Sequence, residues 1–399
     1  MPSVSVIVPV YNGAAFVTDA IESALAQTYT DVEVIAVDDG STDGTPAALA
    51  RFGSRIRVHR RSNGGLAAAR NSGLELATGT FVALLDADDV WEPGFLEYTV
   101  ARLATADESM VGVSSGWVLA DPSGRPLSHT RAIQGSTFTV RDFLRRCPFP
   151  PSTVVVRRAA MRAAGGFDES IRATEDWDLW LRLTVSGRTF GAVDQCLCRY
   201  RVHEQNWSHD PVRMRTGGLR TLEKFFAEPA LPAALRAEQA PAVAHVHARA
   251  SSQFYAAGRV DDGAAALREA VQTWPDILLE DETHWAVICA DQPILYKGSA
   301  QFLDLAQGEH RILTALAGCA GEAVTDPRLP QRALGRAHRA LAHLAYAQRR
   351  MAAVRRYAIR ALRADRSLCL DWRTVGPLLK SFAGAALIGA LSRRPDTTP

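Results

Sequence analysis

Residues 81–89 read Phe-Val-Ala-Leu-Leu-Asp-Ala-Asp-Asp, an apolar run that breaks directly into acids. The run is rich in β-formers and patterned as a buried strand, so Asp86, Asp88 and Asp89 crowd its carboxyl end. Like charges this close repel, and burial raises the cost. A divalent cation would offset it, since hard oxygen ligands suit Mg²⁺ or Mn²⁺. Mg²⁺ takes one or two carboxylates and completes its shell with substrate phosphates and water. A metal-bridged diphosphate site is therefore one reading. The other is a polar loop with a helix N-cap at Asp88 or Asp89 and Pro93 in the first turn.

The flanking pattern supplies a context. Strands are predicted at 4–10, 32–37, 56–58 and 81–85, with helices at 14–27, 45–52 and 66–77 between them. This alternation specifies an α/β layer with a mainly parallel sheet. Ligands of such sheets sit at the carboxyl ends of strands. Tyr11-Asn12, Asp38-Asp39 and Asp86-Ala87-Asp88 all fall there. Beyond Pro93 the pattern changes to a hairpin around Pro122-Ser123-Gly124, a strand at 153–156, a helix capped by Thr174, and a strand at 196–202 that ends in His203.

From about residue 211 the chain is rich in Ala and Arg and lacks strand alternation. Two stretches, 254–270 and 345–362, are alike and resemble the helix–turn–helix of a tetratricopeptide repeat, where small residues let helices pack closely. An irregular Ala-rich bundle fits equally. The expected division is 1–210 and 211–399, in line with 399 residues as two to three domains.

Formal net charge is only +2, but residues 1–125 hold 8 Arg against 16 Asp and Glu, while 331–399 hold 13 Arg and 1 Lys against 3 Asp. A basic tail can meet an anionic membrane surface or nucleic acid; a solvated helical face is the plainer reading, and no nucleic-acid partner is expected. The six Cys show no C-x-x-C spacing, which argues against a zinc knuckle or a thioredoxin-like motif. No signal-like segment opens the chain and no apolar window is long enough to span a bilayer. The nearest, Ser381–Leu391, suits a buried helix or one lying on a membrane. These features point to a cytoplasmic protein.

Six segments in register resemble glycosyltransferase family 2: Val6-Ile7-Val8-Pro9-Val10-Tyr11-Asn12, Val37-Asp38-Asp39-Gly40-Ser41-Thr42-Asp43, Asn63-Gly64-Gly65-Leu66-Ala67-Ala68-Ala69-Arg70-Asn71, Asp86-Ala87-Asp88-Asp89, Glu175-Asp176 and Tyr200-Arg201-Val202-His203. The resemblance covers roughly residues 3–210. It implies the GT-A (nucleotide-diphospho-sugar transferase) fold, followed here by an all-α region outside the resemblance. It also implies an inverting transfer from a nucleotide-sugar, a UDP-sugar first, to a glycan or lipid-linked acceptor. Pro9 and Tyr11 would hold the nucleobase and Asp39 would accept hydrogen bonds from it. Arg70 would meet the nucleotide, its fork suiting a phosphate. Asp86 would bind ribose or a metal-bound water, Asp88 would coordinate Mn²⁺ or Mg²⁺, and His203 would add a metal contact. Asp176 would be the general base, with Glu175 counted beside it in the catalytic pair.

Chemistry gives these roles a rationale. The leaving diphosphate needs its charge neutralised, and the acceptor hydroxyl needs a base. At a helix N-terminus the macrodipole lowers the pKa of Asp176, while Glu175 and burial beneath Trp177 raise it. The sequence leaves the sign open. Asp38 reads equally as a turn cap, Trp177 and Trp180 as packing, and Asp168-Glu169 as a turn. Two other functions fit parts of the pattern. A sugar-phosphate nucleotidyltransferase shares the sheet and the acids, but the loop Pro9-Val10-Tyr11-Asn12-Gly13 lacks its cation. A non-catalytic scaffold would not need Asp39, Asp88 and Asp176 together. Peripheral membrane contact, at the inner face of the plasma membrane, or homo-oligomerisation through the helical half stay open.

Overall fold

The computed structural model describes residues 3–131, 137–203, 206–292, 303–319 and 326–382; the apolar window at 381–391 lies outside them from residue 383 onward. Contacts divide the chain into two compact units, Met1–Ala242 and Val243–Pro399.

The first unit opens β1 (Val4–Val10), α1 (Val17–Leu25), β2 (Val32–Asp38), α2 (Thr45–Ala50), β3 (Arg57–Arg60), α3 (Leu66–Leu76) and β4 (Phe81–Leu84). It continues β5 (Val90–Trp91), α4 (Phe95–Ala104), β6 (Met110–Ala120), β7 (Pro126–Arg131), α5 (Val140–Arg145), β8 (Val154–Arg157), α6 (Arg158–Ala163), α7 (Glu175–Thr184), β9 (Thr189–Arg201), α8 (Pro211–Ala227) and α9 (Ala233–Arg236). The strands form one sheet in the order β3-β2-β1-β4-β8-β6-β9-β5, with β7 paired to β6.

From β3 to β4 the sheet is parallel, as the alternating pattern predicts. Beyond β4 it is mixed and not mainly parallel: β8 runs antiparallel to both β4 and β6, β7 to β6, and β5 to β9, while β6 and β9 are parallel. The physical reason is connectivity, because the later strands are joined partly by hairpin and loop instead of by βαβ crossovers. β1 and β4 are buried throughout, which is why their sequences read as apolar runs, broken in β1 only by buried Ser5. Register pairs Val10 with Asp38 and Ile7 with Leu84, so the polar ends of β1, β2 and β4 reach one edge of the sheet.

Two local expectations change. Neither Asp88 nor Asp89 caps a helix: the next helix, α4, begins at Phe95 with Gly94 at its N-cap. Thr174 does hold the N-cap position of α7 but makes no side-chain cap bond. Its hydroxyl instead meets that of Thr221 in α8 at 2.9 Å. Lys224 of α8 also bridges Asp168 (2.6 Å) and Asp178 (2.8 Å). These ties carry α8 with the sheet, so the compact boundary falls after Ala242 and not at residue 210.

The second unit is helical: the greater part of α10 (Gln239–Ala256), then α11 (Val260–Thr273), α12 (Asp281–Ile288), α13 (Leu305–Ala317), α14 (Leu329–Ala347), α15 (Met351–Ala364) and α16 (Trp372–Phe382). Both expected helix–turn–helix pairs are present, as α10–α11 and α14–α15. Small residues allow the approach: a Cβ on Gly263 would stand 2.9 Å from the Tyr255 ring. Fully buried Arg339 joins Asp281 to Asp371.

Candidate active site

The ends of β1 and β2 are knitted together. Asn12, at φ 52°, takes a left-handed conformation that Asn tolerates better than most residues. Its backbone N–H donates to Ser41 Oγ at 2.9 Å and its Oδ1 accepts from Thr42 N–H at 2.8 Å. Tyr11 is half exposed, leaving its ring face free to pack. Pro9 is buried within β1; β4 pairs with β1 only as far as Ile7, so the missing N–H of Pro9 breaks no ladder on that side. Asp38 is the turn cap, accepting Ser41 N–H at 2.8 Å. Asp39, 3% exposed, accepts Gly64 N–H at 3.0 Å and Gly65 N–H at 2.8 Å, one on each oxygen. It thereby pins the 62–65 loop beneath α3. Gly40 must be glycine there: at φ +80°, its Cβ would lie 2.8 Å from Asn63 N.

Past β4, the acids separate into distinct settings. Asp86 keeps 24% of its side chain exposed and accepts from Arg70 Nη2 at 2.6 Å, while its backbone N–H donates to Ser152 Oγ. Asp88 Oδ2 faces His203 Nε2 at 3.0 Å and Asn206 Nδ2 at 3.4 Å. The His203 ring is stacked on Phe16, centroids 4.8 Å apart. Asp89 is buried, accepts the Arg201 N–H at 3.0 Å, and keeps Oδ2 without a partner among the described residues. Burial, then the charges of Asp88 and Asp86, push its carboxyl well above the usual range.

Opposite stands the N-terminus of α7. Glu175 is 4% exposed and its Oε1 accepts from Arg70 Nη1 at 2.6 Å. Burial pushes Glu175 up to about 7, outweighing the guanidinium, with Asp176 adding to the rise. Asp176 is partly buried and accepts from the Cys147 thiol at 3.7 Å. Its carboxyl is also raised: burial outweighs Arg70 and the backbone N–H of Trp177. Burial thus prevails over the lowering partners at the start of α7. Trp177 and Trp180 are buried packing residues, the Trp177 indole donating to Phe143 O at 2.6 Å. Asp168 caps Ser170 and binds Lys224; burial pushes its carboxyl up, but those partners outweigh it and hold it at about 2.

Arg70 therefore joins the two acidic clusters. The residues 86–89 and 175–176, far apart in sequence, meet across one guanidinium. Expected on a phosphate, Arg70 has both terminal nitrogens on carboxylates instead. Sequence reading did not pick out Asn206, Ser152 or Cys147. Asn206 closes the turn after β9 by accepting His203 N–H. Only its closeness to His203 in the chain hinted at it; Ser152 and Cys147 gave no local signal.

Among the described residues no group of three or more His, Cys, Asp and Glu side chains forms a ready metal cage. The facing oxygen of Asp88 and nitrogen of His203 nevertheless fit a Mn²⁺- or Mg²⁺-type ion that fills its shell with diphosphate oxygens and water.

A model described as Glycosyl transferase family 2 matches residues 5–163. An uncharacterized glycosyltransferase of Rickettsia typhi is 34% identical over 51% of this chain and 65% of its own length. The chain thus spans less than two thirds of that relative. A putative teichuronic acid biosynthesis glycosyltransferase, TuaG of Bacillus subtilis, is 34% identical over 50% of this chain and 79% of its own. Among solved structures, Staphylococcus aureus TarS 1-349 in complex with UDP-GlcNAc aligns over 74% of this chain and 87% of that one, at TM-score 0.50 and 18% identity. That likeness concerns the fold. Sheet order, motif placement and relatives agree: the chain belongs to glycosyltransferase family 2.

Proposed function

We propose that the protein is an inverting, metal-dependent glycosyltransferase that moves a sugar from a nucleotide-diphosphate donor, a UDP-sugar first, to a hydroxyl of a glycan or lipid-linked acceptor in cell-surface polysaccharide synthesis. The observation that carries this reading is the span Asp86–Arg70–Glu175, with both contacts at 2.6 Å, because transfer needs a donor-side and an acceptor-side acid in one place.

Tyr11 and the loop pinned by Asp39 would receive the nucleobase, with Asp39 exchanging an amide partner for the base. Asp88 and His203 would hold the metal, Asn206 steadying the Asp88 carboxylate. When bound, the ion supplies Lewis-acid neutralisation of the departing diphosphate. Asp176 takes the proton of the acceptor hydroxyl as that oxygen bonds to the anomeric carbon and the carbon–diphosphate bond breaks from the opposite face. One displacement inverts the centre. A raised carboxyl suits Asp176 to this task, since a stronger base accepts the proton more readily. Glu175 is too enclosed to touch an acceptor and serves by holding Arg70.

We also infer cytoplasmic placement with peripheral contact at an anionic membrane face. No helix among the described residues is long and apolar enough to cross a membrane. On α16 and just before it, Leu370, Trp372, Leu379 and Phe382 are exposed, from 56% to 91%, beside Arg373 and Lys380. An outward apolar stripe flanked by cations suits an interfacial helix.

The test of the catalytic reading is turnover. Purified protein with Mn²⁺ is screened against UDP-, GDP- and dTDP-sugars for slow donor hydrolysis. Hydrolysis of one donor that requires the metal supports it; none with any donor, in protein that is folded, rejects it.

A further inference from the structure

Arg70 lies in the family's nucleotide-side helix, and its residue type invites assignment to a phosphate. Its surroundings argue otherwise. The side chain is 1% exposed. Nη1 and Nη2 each meet a carboxylate at 2.6 Å, Nε is buried without a partner among the described residues, and the Phe167 ring lies 5.5 Å from the guanidinium carbon. A phosphate-binding Arg presents its fork to the anion. Here the fork is closed by two acids from different elements, Asp86 after β4 and Glu175 at the start of α7.

We propose that Arg70 is a positioning residue: a strut that sets the spacing and charge balance between Asp86 on the donor side and the Glu175–Asp176 pair on the acceptor side, and that contacts no phosphate. The idea rests on the glycosyltransferase reading above for what is positioned. Its physical basis is independent. Three carboxylates, those of Asp86, Glu175 and Asp176, bear on this one cation. Without it, buried like charges face each other uncompensated, which is strongly unfavourable. The spacing follows from the planar fork, whose two arms fix two partners at once; an ammonium is a point charge that cannot reproduce this geometry. The chain thereby uses α3 to lock the end of β4 to the start of α7, so that a base on one element is aimed at a leaving group held by another.

The experiment separates positioning from binding. Arg70→Lys and Arg70→Met are compared with wild type in the full chain, measuring kcat, donor KM, melting temperature, and calorimetric affinity for UDP (with GDP and dTDP in parallel), each with Mn²⁺. A strut predicts that kcat falls about a hundredfold in Arg70→Met, the scale of a small misplacement of reacting groups. Arg70→Lys loses about tenfold, while nucleoside diphosphate affinity stays within about threefold in both. Arg70→Met also lowers the melting temperature; adding Glu175→Gln removes one buried charge and raises it again, with kcat still low. Full return of kcat with the melting temperature would reduce Arg70 to a stabilising residue and overturn the proposal. So would an unchanged kcat in Arg70→Met, or a loss of diphosphate affinity of about tenfold or more in Arg70→Lys at unchanged melting temperature, the size expected for a lost charged hydrogen bond. If Arg70→Met does not fold, Arg70→Lys and the double variant decide the matter. Failure of the underlying reading looks different: wild type itself binds no nucleotide and turns over no donor, and the coupling of positions 70 and 175 in melting temperature still reads the strut.

Discussion

His203 Nε2 lies 3.0 Å from Asp88 Oδ2, a contact between the segment 86–89 after β4 and the second residue beyond β9. Each atom is a metal-donor type, and each is held by other groups, Asp88 by Asn206 and the His203 ring by Phe16. Asp88→Ala should therefore abolish the Mn²⁺-dependent part of nucleoside diphosphate binding, and His203→Ala should weaken it about ten- to hundredfold. Calorimetric titration with and without Mn²⁺ measures both. Normal metal-dependent binding in Asp88→Ala would remove this pair from the metal site.

Asp176→Asn should spare donor binding and lower transfer by about two to four orders of magnitude, the range of general-base contributions. The pH profile provides a second check. As the proposed base Asp176 would work deprotonated, and its carboxyl is raised by burial, so wild-type kcat should climb with pH and its acidic limb should lie above that of an ordinary aspartate. In Asp176→Asn that limb should vanish. Transfer that survives with the limb intact would move the base elsewhere.

Glu175 gives a stability signature. It is raised from 4.5 to about 7 in the folded chain, so the folded state holds its proton more tightly than the unfolded state. The contribution is complete below the unfolded value and is lost as pH rises toward about 7. Melting temperature should fall across that window, and Glu175→Gln should flatten the fall. Identical pH dependence in the two proteins would contradict the assignment.

Asp39 holds two backbone amides of the 62–65 loop. Asp39→Ala leaves both without their acceptor, so hydrogen exchange at residues 62–66 should accelerate, and nucleotide affinity should drop about tenfold or more. Unchanged exchange would show that the loop is held by other contacts.

The outward stripe of α16 should carry membrane contact. Trp372→Glu with Phe382→Glu should reduce sedimentation with phosphatidylserine-containing vesicles about tenfold or more, given the apolar area removed. Raised salt should weaken the wild-type interaction through screening of Arg373 and Lys380. Equal binding to neutral and anionic vesicles, or none in wild type, would dismiss the role.

Much of the fold was legible in the residues. Strands β1 and β4 announced themselves because a strand buried on both faces is nearly all apolar, and β2 through its buried segment 34–37. Motifs at their ends followed from chain order. The long β9 was caught only in its second part, since residues 189–195 include Asp194 and Gln195 and lack the apolar run. The mixed half of the sheet was hidden because antiparallel and parallel pairing use the same strand chemistry and differ in connection. The turn role of Asp38 was one of two readings, and only its 2.8 Å bond to Ser41 N–H selected it.

By itself, the sequence determined the alternating α/β layer, the edge of the sheet at which Asp39, Asp86 and Asp88 gather, and the helical character of the second half. These are consequences of local periodicity and of which residues can end a buried strand. Tertiary structure decided what those acids do to one another. That Arg70 binds carboxylates, that Glu175 is buried while Asp176 is only partly so, and that burial raises the Asp176 carboxyl despite Arg70 all depend on distances and desolvation between elements about a hundred residues apart. Coulomb energy varies with separation and local polarity, and neither quantity is written in the order of the residues.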